Sequence, residues 1–262
     1  MRIAALALLV LASPAMADPV AGQVRFISCP IYRDADAGKK SGCWLADDRE
    51  AGRRFDVSLS PTKPDWNFAV LVEGRPAKDQ ADACGAEVLD PVRVSVLQEP
   101  CTRAMLPAEG YPGRRFVLPA RNIRPLYEAR PPFEQPYRER TFLIPFEFGR
   151  SFITYQLGDY LIDQAVAYAV ASQAARVEII GYAATAPALV SGRTIVETAD
   201  IAEARATVAA EWMTRMGVPK DRLQVSWKLA AEPVDMPGAD GLTEPSRRRV
   251  DIRITPGPQD RR

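Results

Sequence analysis

The chain has no histidine in its 262 residues. That removes Ser-His-Asp and Cys-His nucleophilic catalysis, histidine metal sites and histidine proton shuttles together. Carboxylate-only chemistry survives, as in glycoside hydrolysis, where two carboxylates face each other across one cleft. The acidic candidates are Asp47, Asp48, Asp235 and Asp240. All four sit in polar, turn-like stretches, where acidic side chains commonly serve the backbone. The chain therefore reads as non-enzymatic. By residue type alone, Arg205 could be a surface arginine paired with Glu203 or Asp200, and Arg247-Arg248-Arg249 a solvated charge run.

Cys29, Cys43, Cys84 and Cys101 are the only cysteines. They contain no C-x-x-C spacing, so no metal site and no cofactor is expected. An even set in an exported chain reads as two disulfides. Local closure favours Cys29–Cys43 and Cys84–Cys101. Export is expected from residues 1–17: a basic start at Arg2, an uncharged apolar run, Ser13-Pro14, then Ala15-Met16-Ala17 before Asp18. This is the pattern of a cleaved signal peptide, its apolar run too short for a membrane helix. Cleavage near Ala17 places the mature chain in the periplasm. No later stretch has the roughly 20 apolar residues of a membrane span. With 34 basic and 33 acidic residues, no charge excess argues for nucleic acid.

The elements that must position these residues fall into two groups, making an α+β chain. Residues 18–119 carry short β-prone runs: QVRFIS, then CWLA and RFDVSL around a polar turn at 47–52, FAVLVE, GAEVLDPVRVSVL, and a last short run at 115–118. Gly and Pro punctuate them, which predicts a small all-β barrel, OB-like as first choice. Trp44 is expected in its core, and Trp66 in a loop open to a sugar or protein partner. Residues 120–141 form a Pro-rich linker. Residues 142–255 read β-α-β-α-β-β: FLIPFEF, a helix over 155–174, VEIIGY, a helix over 200–216 with Asp200 as its N-cap, LQVSWKL and VDIRI. Leu161, Ala165, Val166, Ala169 and Val170 are expected on the buried side of the first helix. Ile201, Ala204, Val208, Trp212 and Met216 are expected on that of the second. Residues 256–262 are expected as a flexible tail.

Five pieces of the second half, in order, resemble the OmpA-like family of peptidoglycan-associating domains. Phe146-Glu147-Phe148 matches its opening F-x-F. Ile180-Gly181-Tyr182 matches the strand that ends in G-Y/H-T-D. Ala204-Arg205-Ala206 matches L-S-x-x-R-A, GVPKDRL (217–223) matches G-I-P-x-D-x-I, and RRRVDI (247–252) matches N-R-R-V-x-I. The first half carries no comparable match. The resemblance implies a periplasmic protein of a Gram-negative envelope that associates non-covalently with peptidoglycan. In the family, the aspartate of T-D takes the ammonium of diaminopimelate in the peptide stem, and the arginine takes its carboxylate.

Here Arg205 is present, but the aspartate position falls on Ala184 and the threonine before it on Ala183. A family asparagine falls near Thr198, and the loop between Ala184 and Arg205 is longer than the family form. The resemblance thus gives a peptidoglycan-binding set of Arg205, Arg248, Tyr182, Glu197 and Asp200. Three accounts stay open. Glu197 or Asp200 replaces the aspartate; the ligand is an anion needing only Arg205 and Arg248; or the pocket is inactive and the chain is a scaffold for envelope proteins.

Overall fold

The computed structural model describes residues 22–34, 42–80, 84–108, 131–155 and 157–259. The expected signal peptide, the strand at 115–118 and half of the expected linker, residues 120–130, lie outside them.

The first half forms β1 (Val24–Ser28), β2 (Ile31–Arg33), β3 (Cys43–Asp48), β4 (Arg53–Asp56), β5 (Phe68–Pro76), β6 (Glu87–Pro100) and β7 (Ala104–Leu106). The β3–β4 hairpin is the one expected at the polar turn. The seven strands make one sheet in the order β1-β5-β6-β4-β3-β2-β7. Its inner face buries Phe26, Phe55, Val57, Val70, Val72, Val92 and Val94. Burying each such side chain contributes about 1.5–3 kcal/mol.

No barrel closes. The end strands β1 and β7 do not pair, so the OB-like expectation is corrected to an open sheet. The outer edge of β1 is instead turned to the second half of the chain, where the Ile27 N–H donates to Ser191 Oγ at 2.9 Å. FAVLV in β5 held the clue. A strand with one wet face alternates, whereas a continuous apolar run is covered on both faces. The second face here carries Ala69 and Leu71, both buried.

The disulfides also differ from the local pairing. They are Cys29–Cys101 and Cys43–Cys84, closing 72 and 41 residues. Strand order decides this. β1 and β6 flank β5, with Ser28 opposite Val70 and Pro100 opposite Phe68. Cys29 and Cys101 therefore leave the same end of β5 from either side. Sequence proximity did not measure that.

The second half forms β8 (Arg140–Pro145), α1 (Gly158–Ala171), β9 (Arg176–Ala183), β10 (Ala188–Val190), β11 (Arg193–Ile195), α2 (Asp200–Arg215), β12 (Leu223–Leu229), α3 (Thr243–Ser246) and β13 (Arg249–Thr255). The expected β-α-β-α-β-β spine is present, with the β10–β11 hairpin and α3 added to it. The four-stranded sheet runs β12-β9-β13-β8; β12 is parallel to β9, and β13 is antiparallel to both its neighbours. Its core joins Ile144, Ile179, Val250 and Ile252 to Ile162, Ala165, Ala206, Ala209 and Met213 of the two long helices.

The buried stripe of α2 is not the expected one. It is Ala202, Arg205, Ala206, Ala209 and Met213, while Met216 is exposed and Ile201, Ala204, Val208 and Trp212 are half-buried. The small residues let α2 lie close on β9: a Cβ at Gly181 would sit 2.0 Å from the Ala202 carbonyl oxygen. This rotation carries Arg205 inward. Asp200 is the first helical residue rather than the N-cap; Ala199 holds that position without a side-chain hydrogen bond. On α1, Ala165, Val166 and Ala169 are buried, whereas Val170 faces out. Of the linker, Phe133 and Tyr137 pack edge-on against Tyr168. Of the tail, the Gly257 N–H donates to Ser172 O and the Tyr137 N–H to Gln259 Oε1.

Candidate functional site

Arg205 lies on the inner side of α2, beneath the C-terminal end of β9. Its side chain is fully buried, with a relative exposure of 0%. A guanidinium has five N–H donors, and the chain itself uses all of them. Nε donates to Arg150 O at 2.9 Å. Nη1 donates to Tyr182 O at 2.8 Å and to Glu197 Oε2 at 2.9 Å. Nη2 donates to Glu147 O at 3.0 Å and to Glu197 Oε1 at 2.5 Å. The ring of Phe146 lies 5.4 Å from the guanidinium carbon.

Glu197 sits just past β11 and is equally buried. Besides the two-pronged pair with Arg205, its Oε1 accepts from the Gly149 N–H at 2.8 Å and its Oε2 from the Ala184 N–H at 2.7 Å. Burial pushes this carboxyl up. The Arg205 hydrogen bonds and charge, with Arg248 and the Ala184 N–H, outweigh that and hold it below the usual carboxylate range. Burial pulls the Arg205 guanidinium below its ordinary value, and Glu197 opposes the pull.

Of the other expected site residues, Arg248 is 1% exposed and faces the first sheet, not the Arg205 site. Its Nη2 donates to Glu73 Oε2 of β5 at 2.5 Å. The cavity beside it is about 20 Å³, room for a water but not for the end of an amino acid. Tyr182 is half-buried under Arg249, whose guanidinium lies 4.3 Å from the ring centroid. Asp200 is exposed. The structure thus joins Arg205 to Glu197 and to the Tyr182 carbonyl, sets Arg248 on Glu73 with its charge still felt by the Arg205–Glu197 pair, and leaves Asp200 apart. Trp66 is half-buried, its ring 5.1 Å from both Tyr32 and Trp44. Trp44 is only half-buried at the margin of the inner core. Three of the four acidic candidates have structural partners, and the fourth, Asp235, is exposed. Asp47 pairs with Arg54 at 2.6 Å, Asp48 accepts two turn N–H groups, and Asp240 pairs with Arg93 at 2.6 Å.

Sequence reasoning missed Glu73. Paired positions across β1, β5 and β6 set Arg25, Glu73 and Arg93 in one row on the outer face of the first sheet. Glu73 takes Arg25 at 3.0 Å and Arg248 from the second half. A carboxylate ending the run FAVLVE was the available signal, since a charge next to a doubly buried strand needs a partner.

Close to half of the chain is similar to solved OmpA-like domains. One solved relative is the OmpA-like domain of FopA1 from Francisella tularensis, 17% identical, covering 46% of this chain and 77% of that one, with a TM-score of 0.34. A second is the peptidoglycan-associated lipoprotein of Burkholderia pseudomallei, at 18% identity, 44% and 90% coverage and a TM-score of 0.34. A third is the cell wall anchor of the T6SS from Pseudomonas aeruginosa, at 16%, with 47% and 86% coverage and a TM-score of 0.36. No protein-family model matches the sequence, and no curated protein does.

Proposed function

We propose that this is a non-enzymatic interaction protein of the bacterial envelope, exported to the periplasm. It keeps the arginine grip of the OmpA-like fold but fills that grip with its own Glu197. One observation carries the reading: every N–H of Arg205 is used inside the chain, two of them on a buried carboxylate. Where the resemblance sets a ligand carboxylate, this chain supplies one. The position that would hold an ammonium is Ala184, whose backbone N–H is spent on the same carboxylate. The protein therefore meets envelope partners through other surfaces and holds no peptide stem at Arg205 in this conformation.

A second reading, association with peptidoglycan through an altered pocket, is favoured by the retention of Arg205 within five family-like motifs. It requires Glu197 to leave. Calorimetric titration of the full mature chain with a soluble muropeptide ending in diaminopimelate tests the choice. The self-filled pocket gives no saturable heat at millimolar ligand. Saturable binding that diaminopimelate alone competes away refutes it. Fractionation should recover the mature chain in the periplasm.

A further inference from the structure

The partners of Arg205 stand on segments that the first sheet grips. Glu197 follows the β10–β11 hairpin. That hairpin rests on the outer face of β1 and β5, with Val190 buried against Ile27, Ala69 and Leu71 and Ser191 capping the edge of β1. Glu147 O and Arg150 O belong to the turn after β8. This turn is held at three points, two on β6 and one on the loop between β4 and β5: the Phe148 N–H donates to Ser95 Oγ at 2.9 Å, Arg150 Nη2 to Val96 O at 3.0 Å, and Thr62 Oγ1 to Glu147. Of the four residues that hold Arg205, only Tyr182 lies outside these segments. Beside them, Arg248 is locked to Glu73, and Arg93 donates to Gly238 O and pairs with Asp240.

From this geometry we infer that the mouth of the arginine pocket is the docking surface of the first sheet, and that the sheet is a built-in lid which keeps Glu197 on Arg205. The contact is polar at one end and apolar at the other. The Arg25-Glu73-Arg93 row meets residues 238–248, and the Ile27–Leu71 pair meets the hairpin. Releasing the hairpin takes Glu197 with it, because only Val196 separates β11 from Glu197. Arg205 then regains two donors directed at one carboxylate. The ligand class of the opened site is a carboxylate-terminated peptide. This inference rests on the self-filled pocket proposed above, and the closed state is the one that reading describes.

The test uses the full mature chain and two variants that leave Arg205 and Glu197 in place. Val190→Asp sets a charge in the apolar seat of the hairpin, and Glu73→Gln weakens the clasp at Arg248. Hydrogen exchange over residues 184–197 reports the hairpin, and binding of the diaminopimelate muropeptide reports the site. The lid predicts faster exchange there in both variants and at least a tenfold gain in muropeptide binding, abolished by adding Arg205→Ala. A gain of binding does not arise from a misfolded chain. Unchanged exchange in both variants overturns the lid, since the sheet would not be holding the hairpin. Faster exchange without binding overturns it too, since the released pocket would not be a site. If the native chain already binds and diaminopimelate competes, the self-filled reading has failed instead, which is a separate outcome.

Discussion

Replacing Glu197 by Gln keeps the shape of the side chain and removes its charge. One carboxylate oxygen becomes an NH2 group, set among the N–H groups of Arg205, Ala184 and Gly149 that now donate to it. Donors face donors, and the Arg205 charge stays buried without a counter-ion. Removing one partner of a buried pair costs about 3–5 kcal/mol. A chain of this size loses about 2–4 °C of Tm per kcal/mol, so the expected fall is about 6–20 °C. Urea unfolding of the wild type, Glu197→Gln, Arg205→Ala and the double variant gives the coupling directly. Arg205→Ala is costly too, because it orphans the carbonyls of Arg150, Tyr182 and Glu147. The double variant should nonetheless be more stable than the two single losses added together, by about 2 kcal/mol or more within the range measured for groups sharing a network. A Glu197→Gln cost below about 1 kcal/mol, or strict additivity, would refute the buried pair as the organiser of this site.

Acid should weaken the same pair. Glu197 has its folded pKa below the ordinary carboxylate value, so its stabilisation is present above about pH 4.3 and lost as pH falls through the folded pKa. Glu147 has the opposite sign: burial raises its carboxyl against the hydrogen bonds of Thr62 and Thr154, so its contribution is full at low pH and lost as pH rises through the raised value. The stability gap between wild type and Glu197→Gln should therefore close only at acid pH, measured by urea midpoints. Paired Cys43→Ser and Cys84→Ser substitutions release a 41-residue closure and should cost about 4 kcal/mol by loop entropy, seen as a lower urea midpoint. Gly181→Ala drives a Cβ into the Ala202 carbonyl oxygen. It should cost about 1–3 kcal/mol or more and disturb the near-ultraviolet signal as α2 shifts.

The second half was largely legible because its signals are local. Apolar period, the Gly217 stop and the strand runs placed α1, α2, β9, β12 and β13 within a few residues. Orientation was less legible. The alanines of α2 read as neutral filler, yet they form the buried stripe and leave the larger Val208 and Trp212 at its margin, a tertiary choice made by Gly181. The barrel and the disulfide pairing failed for one reason: both depend on which strands become neighbours, and proximity in sequence does not measure that. Glu197 was in view as a replacement carboxylate, since it lies in the lengthened loop before Arg205. That it would fill the grip instead of completing it required the hairpin, whose two three-residue strands carry almost no periodic signal.

Co-sedimentation of the full mature chain with purified peptidoglycan, with and without excess free diaminopimelate, tests the central claim most directly. A pocket filled by Glu197 predicts that any fraction carried down is unchanged by diaminopimelate. A fraction that diaminopimelate releases, and that Arg205→Lys abolishes while the fold is retained, would contradict it.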